Sequence, residues 1–326
     1  MLTVESPESL RFTACFMLNI DPNLEKQLTH CKEFGSPTRK VIVVRPGMAL
    51  AMYYGCPLHE MADQIPALVH AYLDFIPAGS ISAICGVSSW GKFSKARLDR
   101  QLKQLRSPKI DYTNVDLGSG DSPDSTGPFG WHLNGGNLSN KVSRPNNSNV
   151  IYFTFPFNAM ETIGGSSLAH WVAEVARVAA FESGQFGFAF CQLQRTWTQE
   201  ADDFIGKQAM RFRGLDILEP DLAREAKGLV PNCSWLNLID ARLIRKVGGE
   251  SAISSITNEL SIEPVGNGLM IRAGSEPVLG EINRKPDGLG AIREVARLTK
   301  PIRVAKRVLF YGSEDFRHDW VNRFDE

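Results

Sequence analysis

Between Arg211 and Arg303 the chain is a succession of short apolar runs, each stopped by glycine, proline or charge: RFRGLDI, SWLNLIDARLIRKVGG, MIRAGSEPVLGEINR and PIR. Runs of this length suit strands and helices of one or two turns, and the glycines set the points where the backbone must turn. A metal-binding, phosphate-loop or nucleophile-elbow pattern is absent from the stretch. It therefore reads as sequence selected for a shape and a surface rather than for chemistry.

The rest of the chain supplies sheet and helix partners for these runs. Apolar residues 11–20 predict a buried strand, and Asp21-Pro22-Asn23 a cap for a short helix through Glu25 to Cys31. The β-branched run Val41–Val44, then Arg45-Pro46-Gly47, then Met48–Tyr54 predict a hairpin. Leu58, Met61, Ile65, Leu68, Val69, Tyr72 and Phe75 recur at helical spacing, with Pro66 kinking or restarting the helix. Residues 76–87 read as strand-like or turn-rich, and the basic segment 92–105 as an exposed helix or a long connection.

Residues 111–149, rich in Gly, Ser, Asn, Pro and Asp, bury too little apolar surface for a core of their own and read as a polar excursion. Beyond it, VIYFTFPF (150–157) and FGFAFC (186–191) predict strands flanking a helix over 166–181. Helices follow at 197–212, 220–227, 241–247, 254–260 and 289–298, with strands at 235–239 and 269–273. The sum is a mixed α/β (α+β) fold, a largely antiparallel sheet packed with helices. It forms one domain over 1–326, open to description as two related halves, 1–110 and 150–303, joined by the excursion and followed by a tail at 304–326.

The 326 residues are 43% hydrophobic and 22% charged, enough to build a sizeable core. Lys plus Arg equals Asp plus Glu, 36 each, so there is no overall basic excess for a nucleic-acid footprint, and no direct nucleic-acid partner is expected. No apolar run reaches 18 residues, so no membrane partner is expected. Glu5 and Glu8 stand where a secretory signal needs basic residues, and the six cysteines are scattered without a CxxC pair. Reduced thiols in the cytoplasm are the expectation, with Cys15, Cys191 and Cys233 as small core residues.

The residues that carry chemistry elsewhere have plain structural readings here. No two of the six histidines stand at a metal-ligand spacing. Asp121 and Asp124 lack the spacing and the terminal glutamate of a calcium loop. No metal or other cofactor, and no catalytic residue, is expected. Asp216 after Gly214 reads as a turn or cap, the glycine allowing positive φ, and Asp240 as a helix cap. Arg272 in RAGSEP and Arg284 in GEINR each call for a conformation-fixing partner, Glu276 or Glu281, with contact to another protein as the alternative.

The ordered blocks AMRFRGLD (209–216), SWLN (234–237), 243–249, Arg272-Ala273-Gly274, Pro277, Leu279-Gly280, Ile282-Asn283-Arg284 and Pro301-Ile302-Arg303 resemble the bacterial type VI secretion immunity family over residues 150–303. On that resemblance Arg213, Gly214, Asp216, Trp235, Arg272, Gly274, Gly280, Asn283 and Arg284 form a structural family motif. The resemblance implies a protein that binds and neutralises a cognate secreted effector toxin, nucleases among them. The sequence departs from the family in its Gly- and Asn-rich centre. There, exposed Asp116, Asp121 and Asp124 with Phe129 and Trp131 are the candidate effector-binding residues, acids facing a basic toxin. An enzyme with a cross-fold acidic or small-molecule site, and a structural or assembly protein, remain the alternatives; the sequence leaves a homodimer open.

Overall fold

The computed structural model describes residues 21–34, 38–85, 90–109, 113–120, 125–136, 148–192, 198–218, 226–254, 260–305 and 314–325. Among them, twelve strands share one sheet: β1 (His30–Phe34), β2 (Arg39–Tyr54), β3 (Ala83–Cys85), β4 (Trp90–Lys92), β5 (Thr113–Gly118), β6 (Gly130–Gly135), β7 (Asn149–Pro156), β8 (Ser183–Gln192), β9 (Asp216–Ile217), β10 (Leu236–Asp240), β11 (Leu260–Val265) and β12 (Gly268–Ala273). The helices are α1 (Pro22–Gln27), α2 (Ile65–Phe75), α3 (Lys95–Gln104), α4 (Ala159–Thr162), α5 (Gly165–Val178), α6 (Gln199–Arg211), α7 (Ala241–Lys246), α8 (Gly249–Ser254), α9 (Gly290–Thr299) and α10 (Glu314–Asn322).

The sheet runs β11-β12-β10-β8-β2-β7-β6-β5-β3-β4, with β1 beside β2 and β9 beside β8. Every pairing is antiparallel except the short β8–β9 ladder. The fold is thus the mixed, largely antiparallel sheet with packed helices that the sequence predicts. Strands of the two predicted halves interleave, because β2 lies between β7 and β8.

The segment 39–54 is one continuous strand, not a hairpin. Its β1 ladder ends at Val44 and its β7 ladder begins at Gly47, so Pro46, which has no N–H to give, falls in the gap between two neighbours. Gly47 admits no side chain, since a Cβ would stand 2.7 Å from the Phe155 carbonyl oxygen and 2.8 Å from Cys191 Sγ.

One face of the sheet carries Leu50, Met52, Trp131, Leu133, Phe153, Phe155 and Phe186 into the main core. Helices α2 and α5 cover it. Trp171 of α5 meets Phe153 and Phe155 edge-on at 5.3 and 5.0 Å between centroids. The Tyr72 hydroxyl of α2 donates to the Thr154 carbonyl (2.6 Å) and accepts from the Gly130 amide (2.9 Å), tying helix to sheet. Pro66 sits in the first turn of α2, where its missing N–H costs nothing, and the preceding turn at Leu58–Glu60 is 3-10; the restart reading holds. A second core, with Ile239, Leu243, Ile271, Ile292, Val295 and Phe324, lies between α7, α9 and the strands β10 and β12.

A further expectation needs correction. Residues 113–118 and 130–135, placed in a polar excursion, are strands β5 and β6, paired antiparallel to each other, with β5 also on β3 and β6 on β7. Ser254 ends helix α8 and Leu260 opens strand β11, while residues 255–259 of the helix expected at 254–260 lie outside the described residues. Of the two readings of the basic stretch, the helix holds, as α3. The strand expected at 11–20 and most of the helix expected at 220–227 lie outside the described residues.

Candidate functional site

Of the acidic and aromatic residues expected to meet an effector, the described ones, Asp116, Phe129 and Trp131, are buried or half-buried. Trp131 has no exposed area, and its indole is in the main core among the residues of α2, β5 and β7. Asp116 is 7% exposed and its carboxylate is 3.0 Å from Nδ1 of His132, its register partner on β6. Phe129 is half-buried against the core, its backbone clasped by Ser119 Oγ, which accepts from the Phe129 amide and donates to its carbonyl, each at 2.8 Å. Sheet pairing explains the first two: alternation in β5 and β6 puts Trp131 with Leu117 on the core face and Asp116 with His132 on the opposite face, while Phe129 is just before β6. Asp121 and Asp124 lie outside the described residues.

The family-motif residues do come together, as two structural clusters and one exposed loop. In the first cluster Asp216 is 4% exposed and accepts from the Ile217 amide (2.8 Å), Asn232 and Gln185, with the Arg323 guanidinium at 3.8 Å. Arg323, itself 2% exposed, donates to the carbonyls of Arg213 (3.0 Å) and Trp320 (2.8 Å) and lies 3.5 Å over the Trp320 ring. Arg213 returns a bond to the Arg323 carbonyl at 3.5 Å. Asp216 is therefore a buried counter-charge for the C-terminal segment. Asp240 does cap its helix, accepting from the Leu243 amide at 2.7 Å.

Gly214 differs from its expected role, because its φ is not positive. It is glycine because the Val278 carbonyl and the Leu279 backbone occupy the place of a side chain. In the second cluster Arg272 has no carboxylate partner among the described residues. Its guanidinium donates to the carbonyls of Gly274 (3.2 Å) and Ser275 and lies 5.1 Å from the ring of buried Trp235, whose Nε1 also donates to Gly274 (3.3 Å). Gly274 has φ of 78°, which only glycine takes without strain.

The third group is a surface feature. The chain from Leu279 to Leu289 leaves the fold as a loop whose two ends are pinned. Gly280 (φ 64°) and Gly288 (φ 75°) turn the backbone in and out. The amides of Arg213 and Gly214 donate to the carbonyls of Gly280 (3.1 Å) and Leu279 (2.8 Å), and the Ile282 amide donates to Arg211 (3.0 Å). Glu281 receives two guanidiniums, Arg211 at 2.5 Å and Arg284 at 3.2 Å. Asp287 takes a bidentate pair from Arg293, 2.9 and 2.5 Å, and accepts from the Leu289 amide. The Arg293 hydrogen bonds hold the Asp287 carboxyl below the usual aspartate range.

Residues 282–286 on this loop are all exposed. Ile282 is the exposed large apolar side chain among the described residues, at 45% exposure, and the Arg284 side chain is 81% exposed beside it. Asn283 shares the crest. Beneath the loop is a cleft of about 300 Å3 lined by Leu24, Phe212, Val278, Leu279, Pro286 and polar neighbours. The arrangement offers an apolar point, a guanidinium and a cleft, all held before any partner arrives. The Arg284–Glu281 pair was legible in the sequence. The exposure of Ile282 was missed, although one isoleucine set among Glu, Asn, Arg, Lys and Pro was the signal.

Comparison with known proteins bears on the family. The chain's fold is similar to a Pseudomonas aeruginosa T6SS protein, PA0821, at a TM-score of 0.75 and 16% identity, over 93% of this chain and 89% of that one. Among curated proteins no sequence relative matches. A family model described as type VI immunity for VRR-NUC (TsiV) matches residues 71–324, which span the sheet from α2 onward, both structural clusters and the exposed loop. The chain belongs to this type VI immunity family.

Proposed function

We propose that this protein neutralises a cognate type VI effector, a nuclease of the VRR-NUC kind, by stoichiometric binding that covers the effector's active site or its substrate path. The observation that carries the site is the loop Glu281–Asp287, which presents Ile282 and Arg284 on a backbone already fixed from both ends. A rigid apolar residue beside an arginine is the composition of an interface centre, and fixing it in advance spares the entropy of ordering it on binding. The protein acts where the effector is made, in the cytoplasm of the producing cell.

The test is co-production with the secreted nuclease encoded beside this chain. Wild-type protein should rescue growth and co-purify with the effector. The pair Ile282→Asp and Arg284→Ala should weaken the complex by about tenfold to a hundredfold with the thermal midpoint unchanged. Full affinity in that variant would remove the loop from the interface; failure of the wild type to bind would remove the function.

A further inference from the structure

Charge on this chain is balanced overall but not locally. Residues 92–109 hold seven basic side chains, Lys92, Lys95, Arg97, Arg100, Lys103, Arg106 and Lys109, against a single acid, Asp99. The compensating negative excess lies elsewhere, so the molecule has a basic pole that its net charge of zero conceals.

Helix α3 shows how that pole is built. Ser94 caps it, accepting from the Arg97 amide at 3.3 Å, and Leu98 and Leu102, with Leu105 just beyond, face the core. Helical spacing then turns Ala96, Arg100, Lys103 and Gln104 directly outward. Lys92, Lys95, Arg100, Lys103 and Lys109 are all exposed, and none pairs with a described carboxylate. The one acid is drawn aside: Asp99 lies 3.9 Å from His70 of α2. Arg106 reaches Asp63 at 2.7 Å, with both side chains mostly in solvent, and the Arg97 guanidinium folds back over Gly91.

Four of these five cations are lysines. Lysine is a hydrated point charge on a flexible stem, scarce at interface centres but effective in guiding approach. The two aromatic residues beside the run, Trp90 and Phe93, are half-buried, Phe93 against the core, so the face lacks a stacking platform for bases. An acidic protein surface fits it better than a nucleic acid.

Resting on the reading that this chain binds a type VI effector, we infer that the outer face of α3 steers the protein onto an acidic face of that effector. It sets the association rate, while the loop around Ile282 sets the residence time. The sign is opposite to the sequence expectation of an acidic immunity surface, and the reason is visible: Asp116 is buried against His132, whereas the exposed, uncompensated charge of α3 is positive.

The test measures association and dissociation of full-length protein with the adjacent secreted nuclease, inactivated in its active site. The triple variant Lys95→Glu, Arg100→Glu, Lys103→Glu should associate about tenfold or more slowly at roughly 50 mM salt, with the difference closing at about 500 mM and dissociation unchanged. The milder Lys95→Gln, Lys103→Gln variant should lie between, and Lys95→Arg, Lys103→Arg should match the wild type; thermal midpoints check that each is folded. Unchanged or faster association of the folded triple variant overturns the inference and leaves the proposed function standing. So does tight binding of wild-type protein to a DNA duplex that the triple variant loses while its effector association is intact. No binding by the wild type overturns the proposed function and this inference with it.

Discussion

Trp131 fills the core between α2 and the sheet with no exposed area, so its truncation opens a large cavity. Trp131→Ala is expected to cost about 3–5 kcal/mol, read as a lower denaturant midpoint, and any loss of effector binding should track the unfolded fraction. An unchanged midpoint would return the residue to the surface. Its surroundings explain why the sequence reads otherwise. GPFGWHLNGG looks like loop because glycine and asparagine dominate it, while the fact that decides its structure is pairing with β7, from Gly130↔Thr154 to Asn134↔Val150. That pairing is non-local, and local composition does not encode it. Asp240 as a helix cap, by contrast, was legible, because capping is decided within four residues. Cys191 and Cys233 are buried as expected, and burial pushes the Cys191 thiol up to about 12 and raises that of Cys233.

At the scale of the element, the loop from Leu279 to Leu289 is held by a titratable anchor. The hydrogen bonds from Arg293 lower the Asp287 pKa, so the anchor's contribution is complete above the ordinary aspartate value, about 3.9. It is lost only as pH falls through the lower folded value. Pepsin cleavage within 281–288 is therefore expected to stay slow near about pH 4 and to rise below the ordinary carboxylate range. Asp287→Asn should remove that acid step, and a step that persists in the variant would assign the anchor elsewhere. The grip of this loop on the segment after α6 is not legible in the sequence, because the contacts run from Gly280 and Leu279 to Arg213 and Gly214, far away along the chain. Likewise, Gly214 announces a constraint without saying which; the constraint is the Val278 carbonyl, not a left-handed backbone. The reading of 39–54 as a hairpin failed at Pro46-Gly47 because a turn signal and a change of sheet neighbour use the same residues.

Across the whole molecule, the C-terminal segment is a structural part rather than an appendage. Arg303 pairs with Asp325 at 2.5 Å, Lys300 adds a second cation at 3.3 Å, and Arg323 reaches back to Asp216. Removing the chain from Glu314 onward leaves Asp216 and Arg303 buried without these partners, a loss of about 3–5 kcal/mol. The truncated protein should melt lower and lose soluble yield; a melting curve matching the full chain would show the network to be dispensable. Centrally, β2 pairs with β7 through residue 156 and with β8 through residue 192. A nascent chain that has completed β2 at Tyr54 therefore lacks its β7 neighbour until about 100 more residues have been added, and its β8 neighbour until nearly 140 more have. At ordinary synthesis rates the longer interval is about 7–28 s. The central strand is thus the part of the fold exposed longest during synthesis, and a pause between residues 156 and 192 leaves one of its edges open to pairing with another chain.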